Sequence, residues 1–341
     1  MKTNVAVFWF LLILGSLSFG ISLSDALTKA KIVNSNYMLS GYALEKTNLE
    51  YEKAIIESTN KEEELNAEVS RLNGLSDYLR NYVRSYYTEV VIGYFDMRIA
   101  QIAAEAAQLS YLNTKIDYER KTDLLQKSIL SEPEWKESEI SLNDALDAYE
   151  KADIDYKNKV FEYQRCTGLD EKTVVDIPTP DYTRFTVSEE AWQKTHRDLR
   201  NATLSYEIAK YAVDTLPSAT SAYNRKIKTH NLKQKEVAFK IAQISALDEK
   251  KKTEQTLFYK KRQIENAQKR VAIAQAEMQD IQNRFGKGLV TEVQIHTQQI
   301  SFLNAQKTLL TNQSEYWSAF FDYIIAIALP LDDVLKSLGE K

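Results

Sequence analysis

The stretch RFGKGLVTEVQIHTQQISFLNAQ, residues 284 to 306, decides the fold. It places Gly286 and Gly288 two positions apart in a chain that has only nine glycines, and helix-favouring sequence extends from it on both sides. Glycine allows the positive φ of a left-handed helix C-cap, and the Thr291 hydroxyl can cap a following helix. The stretch therefore predicts a reversal between two nearly antiparallel helices.

The reversal forces two aliphatic residues, Leu289 and Val290, onto a narrow tip. Exposed aliphatic side chains at such a place favour a docking site for a partner. The alternative is that both side chains fold back and close the tip as a hydrophobic staple.

The sequence before the tip predicts one long helix. From about residue 235 to residue 287, apolar residues recur every seven positions, as in the seam of a coiled coil. At 1.5 Å per residue, this helix spans about 80 Å. The seam consists of Leu257, Ile264, Ala267, Val271, Ala274, Met278, Ile281 and Phe285. Taken alone, it also fits a solitary dimeric coiled coil.

An internal repeat indicates a larger architecture. A shift of about 160 residues aligns the chain with itself without a gap and places Ser128-Ile129-Leu130-Ser131 on Gly288-Leu289-Val290-Thr291. Identical pairs at this shift are Lys127 and Lys287, Glu132 and Glu292, Ile140 and Ile300, Ser141 and Ser301, Ala145 and Ala305, Tyr156 and Tyr316, and Tyr163 and Tyr323. The predicted fold is all-α, with long antiparallel helical hairpins from two internal repeats and little or no β-structure.

The predicted organisation has five parts. They are a signal peptide (1–20), a first helical-hairpin repeat (21–172), a linker with two prolines (173–187), a second helical-hairpin repeat (188–331) and a C-terminal tail (332–341). Turns inside the repeats are expected at Asn73-Gly74 and between Lys228 and Gln234.

The first twenty residues, MKTNVAVFWFLLILGSLSFG, have an early lysine, a short apolar run and small residues at the end. This pattern predicts a secretory signal and an exported protein, with an uncleaved anchor as the alternative. Cys166 is the single cysteine, so an internal disulfide is excluded, and an idle thiol is expected.

Composition argues against several classes of function. The formal net charge of −4 gives no basic surface for nucleic acid. His196, His230 and His296 form no metal-binding or catalytic motif, and GKGLVT lacks the spacing of a phosphate-binding loop. We therefore expect no enzyme, no catalytic residue, no metal and no cofactor. Asp117 and Asp280, which precede the two reversals, are candidates for a cation-selective constriction.

The reversal RFGKGLVT, its return helix ending in YWSAFFDYIIAIALP, the repeat and the signal together resemble the TolC-type outer-membrane efflux protein family. Arg284, Gly288, Leu289, Val290 and Thr291 match the family pattern. The first repeat departs from it, because a serine stands at the glycine position and a leucine at the arginine position.

The resemblance implies a homotrimer whose hairpins form a hollow α-barrel tunnel across the periplasm. It implies an outer-membrane location, docking to a membrane-fusion adaptor and, through it, an inner-membrane transporter, with export of small molecules or proteins. Arg284 would support the tip. The implied adaptor-facing residues are Ser128, Ile129, Leu130 and Ser131 on one hairpin and Gly288, Leu289, Val290 and Thr291 on the other.

Family members also carry two β-hairpins per protomer, and the chain departs from this pattern. In the first half, IIESTNKEEELNAEVSRLNGLSDYLR is charged and favours helix, so no strand is expected. In the second half, a helix–turn–helix is favoured over two weak strands. The membrane-spanning strands are therefore predicted to be reduced or missing. A structural periplasmic tether or spacer that has lost the channel stays open as an alternative.

Overall fold

The computed structural model describes residues 20–339. Eleven α-helices occur in this part of the chain. They are α1 (Leu23–Ala30), α2 (Ser35–Glu57), α3 (Lys61–Tyr78), α4 (Arg84–Tyr87), α5 (Gly93–Gln126), α6 (Glu132–Thr167), α7 (Glu189–Thr195), α8 (Arg197–Asp214), α9 (Ala222–Gly286), α10 (Glu292–Ala326) and α11 (Leu331–Gly339). The predicted signal peptide lies, apart from Gly20, outside the described residues.

β-Structure in the described residues is confined to a two-stranded parallel sheet. Strand β1 (Ile21–Ser22) pairs with β2 (Val175–Asp176). This confirms the all-α prediction with little β. None of the helices between residues 20 and 339 combines the length and apolar character needed to cross a membrane.

Two continuous helical rods organise the fold. The first runs from Lys61 to Gln126 through α3, α4 and α5, joined by the π-helical turns Leu79–Val83 and Thr88–Ile92. The second is α9, whose 65 residues span about 100 Å. The two rods occupy equivalent places in the repeat, because α5 and α9 end 160 residues apart and so do the starts of α6 and α10.

Both predicted inner turns are wrong. Asn73-Gly74 lies inside α3, where a β-carbon on Gly74 would come within 2.8 Å of the Thr47 Cγ2 atom. Gly74 therefore serves the close approach of α2 and α3 rather than a turn. Residues 228–234 lie inside α9. The chain instead reverses at residues 58–60 and 215–221.

The helices form two four-helix layers that meet end to end. The tip layer has the spatial order α6, α5, α10, α9, and the far layer has the order α2, α3, α8, α9. Helix α9 is an edge of both layers. The opposite edge is α6 in the tip layer and α2 in the far layer.

The hydrophobic core lies where the layers meet, around the middle of both rods. It contains large fully buried side chains from the rods, from α7 and from the end of α10, including Tyr86, Met97, Trp192, Trp317, Tyr316, Phe320, Phe321 and Tyr323. The segment between the repeats packs on this core, because the Tyr316 hydroxyl donates to the Pro180 carbonyl at 2.5 Å. Helix α11 also packs there through Leu331, Val334 and Leu335.

Candidate functional site

The second hairpin tip joins α9 to α10 by a tight backbone reversal. Gly288 has a φ of +71°, the left-handed conformation predicted for it. The Gly288 amide donates to the Phe285 carbonyl at 2.8 Å, and the Leu289 amide donates to the Arg284 carbonyl at 3.0 Å. These bonds satisfy carbonyls at the end of α9 that have no partner within the helix.

The first hairpin tip, between α5 and α6, has the same backbone geometry without glycine. Ser128 has a φ of +59°, and the Ile129 amide donates to the Leu124 carbonyl at 2.9 Å. A non-glycine residue in this region costs about 1 kcal/mol or more. The two tips therefore have the same backbone conformation, although a serine stands at the first tip where the second has a glycine.

A capping box fixes the start of the return helix at each tip. The Ser131 hydroxyl accepts from the Glu134 amide, and the Ser131 amide donates to the Glu134 carboxylate at 3.1 Å. At the second tip, the Thr291 amide donates to the Gln294 Oε1 atom at 2.8 Å, and the reciprocal bond is present. Hydrogen bonds from Ser131 hold the pKa of Glu134 below its ordinary value, which keeps this box charged.

The apolar residues at the tips divide into two kinds. Ile129 is 70% exposed and Leu289 is 67% exposed, whereas Leu130 and Val290 are half-buried. One residue of each pair therefore covers the tip and the other projects into solvent. Each tip presents a single aliphatic side chain on a rigid, doubly capped support.

The structure places the remaining predicted site residues in local ion pairs. The Arg284 guanidinium lies 3.8 Å from the Asp280 carboxylate one helical turn away. Asp117 contacts Arg120 at 2.5 Å and Lys121 at 3.1 Å. Burial acts to raise the pKa of Asp117, but its contacts with these two cations outweigh that effect and hold the pKa below the ordinary value. Both aspartates thus have cations on their own helices.

A histidine joins the two hairpins behind the tips. His296 on α10 shares a hydrogen bond of 2.9 Å between its Nδ1 atom and the Asn113 Oδ1 atom on α5. Burial lowers the pKa of His296 and outweighs the nearby Glu292 carboxylate. The contact fixes the relative position of the two tips.

The layer edges are a second candidate surface, which was not predicted from the sequence. Exposed apolar residues follow the edge α2 at seven-residue spacing and the edge α6 at intervals of fourteen and seven residues, with Asp147 at the intermediate position. They are Tyr42, Leu49 and Ile56 on α2, and Ile140, Ile154 and Phe161 on α6. The facing edge, α9, exposes Val237, Ile241, Ile244, Phe258 and Ile273. The spacing is present in the sequence, but the spacing alone does not show which apolar stripes stay exposed.

Comparisons with known proteins bear on the fold. The chain matches no protein-family model and no curated protein. Its structure resembles the outer membrane channel CmeC of Campylobacter jejuni, with a TM-score of 0.52 and 12% identity over 93% of this chain and 88% of that one. A membrane protein from Pseudomonas aeruginosa gives 0.53 and 9% identity over 91% of each chain. The outer membrane protein VceC of Vibrio cholerae gives 0.51 and 11% identity over 89% of this chain and 95% of that one.

The chain has the TolC-type fold. This confirms, for the fold, the resemblance predicted from the tip motif. At sequence identities near 10%, structural similarity is evidence for the fold alone. In this chain, the connections at residues 58–60 and 215–221 are short and contain no strand. In residues 20–339, no group of three or more histidine, cysteine, aspartate or glutamate side chains is placed to hold a metal ion.

Proposed function

We propose that the chain is the outer-membrane duct component of a tripartite efflux system. Three copies would form a periplasmic α-helical tunnel, and the hairpin tips would dock a membrane-fusion adaptor that connects to an inner-membrane transporter. Small molecules or proteins would pass through the lumen without chemistry. The channel proteins among the structural neighbours support this function, and one feature of the chain carries it: two stacked helical layers with unpartnered apolar edges.

The edges favour a closed ring of identical copies. A layer of four helices leaves one edge on each side, and the two edges of this chain are different surfaces. A contact between unlike surfaces of identical chains generates either a ring or an open filament. Because α9 is an edge of both layers, one rotation places it beside α6 and beside α2 of the next copy. Three copies would give twelve helices in each layer.

The heights of the edge residues are compatible with this ring. Tyr149 on α6 stacks on Tyr111, and near that level Asn113 contacts His296. Two residues further along α10, Gln298 donates to Glu277 on α9. Tyr149 on α6 and Glu277 on α9 therefore lie at about the same level along the molecule. Since α6 and α9 run in opposite directions, Ile154, five residues after Tyr149, lies near Ile273, four residues before Glu277. Apolar side chains on the two edges would therefore meet without a vertical shift.

The tips complete the proposed duct. Ile129 and Leu289 project from the same end of the molecule, on backbones that the capping boxes hold rigid. Burying a leucine or isoleucine contributes about 1.5–3 kcal/mol. Three copies would present six such side chains around one opening, which suits a partner with matching multiplicity.

Cysteine cross-linking tests the ring. In a Cys166→Ser background, Ile154→Cys combined with Ile273→Cys should give covalent trimers on oxidation. Asp155→Cys with Ile273→Cys is the matched control, since residue 155 is exposed but lies about 100° further around α6. Equal yields from both pairs, or covalent species that stop at dimers, would contradict the ring.

Adaptor docking requires its own test. Ile129→Asp and Leu289→Asp should abolish cross-linking to a co-expressed membrane-fusion adaptor, and the helical circular-dichroism signal should be unchanged because both side chains are exposed. Undiminished cross-linking would remove the tips from the mechanism.

A structural periplasmic tether is the second candidate. The short connection at residues 58–60, where family members carry a β-hairpin, favours it. A tether needs no lumen, so an image of the assembly separates the two candidates.

A further inference from the structure

The end of the molecule opposite the tips is formed by the hairpin between α8 and α9. Helix α8 ends at Asp214, residues 215–221 form the turn, and α9 begins at Ala222. Since α9 runs from this end to the second tip, about 100 Å separate the two surfaces. Residues 215–235, from the turn into the first turns of α9, are called the far end here.

The far end carries positive charge without acidic residues. Residues 215–235 contain five basic residues and no aspartate or glutamate. The five are Arg225, Lys226, Lys228, Lys233 and Lys235. Within residues 20–339, none of them has a carboxylate within 4.0 Å, and the same holds for Lys251 and Lys252 near the middle of α9. Asp214 and Glu236 flank the segment, and Glu236 pairs with Lys240. The far end thus has cations that the described protein does not neutralise.

Two apolar side chains project among these cations. Tyr223 is 74% exposed and Ile227 is 52% exposed. They lie one helical turn apart and therefore on the same face of α9. Lysine and arginine side chains beside exposed aromatic and aliphatic side chains at a helix end are suited to a lipid interface, because charged groups reach the head groups while apolar groups enter the layer below them.

The far end also projects beyond the rest of its layer. Thr47 on α2 lies beside Gly74, Asn201 contacts Asn73, and Tyr206 stacks on Phe239. Counting along the helices from these contacts places the end of α2 at about the level of residue 234. The start of α9 therefore extends about twelve residues, or about 18 Å, further. In a ring of copies, a neighbouring α2–α3 turn, although acidic, would not reach Tyr223 or Arg225.

We propose that the far end docks on an anionic lipid membrane. Arg225, Lys226 and Lys228 would contact lipid phosphates, and Tyr223 and Ile227 would enter the interface between head groups and acyl chains. This contact rests on the proposed function, in which the tips face an adaptor and the opposite end faces the outer membrane. It would attach the tunnel to the membrane surface through helix ends.

Vesicle sedimentation of the chain from residue 21 to residue 341 tests this contact. Vesicles of phosphatidylcholine alone are compared with vesicles containing equal amounts of phosphatidylcholine and phosphatidylglycerol. The protein should bind the anionic vesicles, and added salt should weaken binding. Because one lysine or arginine near such a surface changes binding about fivefold, Lys226→Gln with Lys228→Gln should weaken binding about 25-fold. Tyr223→Ser should weaken it further.

The matched control removes the same charge from the same helix. Lys251→Gln with Lys252→Gln changes two exposed lysines near the middle of α9 and should leave vesicle binding within about twofold of the unchanged protein. Equal binding to both vesicle types would overturn the membrane contact. So would an equal loss in the control variant, or a loss of trimers in the far-end variant, which would assign the far end to contacts between copies.

The two proposals, the ring of copies and the membrane contact, can fail independently of each other. Absence of the 154–273 cross-link together with salt-sensitive binding to anionic vesicles would remove the ring and retain the membrane contact. A cross-linked trimer that binds vesicles equally with and without phosphatidylglycerol would support the ring and contradict the membrane contact.

Discussion

Replacing glycine by alanine should have opposite effects at two positions that lie two residues apart. Gly286 is the last residue of α9 and has ordinary helical backbone, and an added β-carbon there meets no atom within 4 Å. Alanine should stabilise this position by about 0.5 kcal/mol, because the propensity difference of about 1 kcal/mol in a helix interior is smaller at the last residue of a helix. Gly288 also has open space around an added β-carbon, so the effect of alanine on stability there depends only on the φ of +71°.

The left-handed conformation costs an L-residue about 1–2 kcal/mol. Alanine offsets about 0.4–1 kcal/mol of this cost, because it lowers the conformational entropy of the unfolded chain. Gly288→Ala should therefore destabilise the tip by about 1 kcal/mol. The two variants then differ by about 1.5 kcal/mol, which corresponds to about tenfold in the equilibrium for local opening.

Amide hydrogen exchange of peptides that cover residues 284–295 measures this difference directly. The Leu289 and Gly288 amides, which bond to the Arg284 and Phe285 carbonyls, are the reporters. Exchange should slow in Gly286→Ala and accelerate in Gly288→Ala, and the double variant should return close to the unchanged protein. Slower exchange in both single variants would refute the left-handed cap as the reason for the paired glycines.

Three further perturbations test other parts of the structure. Ser128→Gly should stabilise the first tip by about 0.5 kcal/mol, because glycine relieves the positive φ, and should slow exchange of residues 124–131. Tyr316→Phe removes the hydroxyl bond to Pro180 and should cost about 1 kcal/mol in urea unfolding; Tyr156→Phe, at the equivalent and more exposed position, should cost less. The pKa of His296 is lower folded than unfolded, so the unfolded chain takes up the proton first. The contribution of this group to the free energy of unfolding is complete above about pH 6.5 and is lost as the pH falls from there through the lower pKa of the folded state. A His296→Asn variant should flatten that part of the pH profile, and an unchanged profile would contradict the assignment.

Local chemistry explains which elements could be predicted from the sequence. The second tip could be predicted from its own residues. They include a glycine for the left-handed cap, a threonine for the N-cap of the next helix, and helix-favouring residues on both sides. The first tip became visible only through the 160-residue repeat, since Ser128 gives no signal by itself. The TolC-type fold then followed from two equivalent hairpins and one specific motif.

The inner turns could not be predicted because their residues serve packing between helices. Gly74 was interpreted as a turn residue, but its lack of a side chain accommodates Thr47 of the neighbouring helix. The real turn had a weaker signal, in which Asn60 caps α3 through the Glu63 amide. Residues 228–234 are polar and lysine-rich, a composition that suits an exposed helix as well as a turn.

The layer edges show how tertiary structure decides the meaning of a pattern. Spacing at multiples of seven residues in α2 and α6 indicates an apolar stripe but does not indicate its partner. Only the helix order shows that these stripes, with that of α9, lie at the margins of the chain. Their exposure in a single chain is the strongest indication that copies associate.

A cryo-electron microscopy image of the purified assembly tests the central claim most directly. The account predicts a hollow cylinder about 100 Å long, with three copies and twelve helices around an open lumen at both layers. A solid rod, a pair of copies or a particle without a lumen would contradict it.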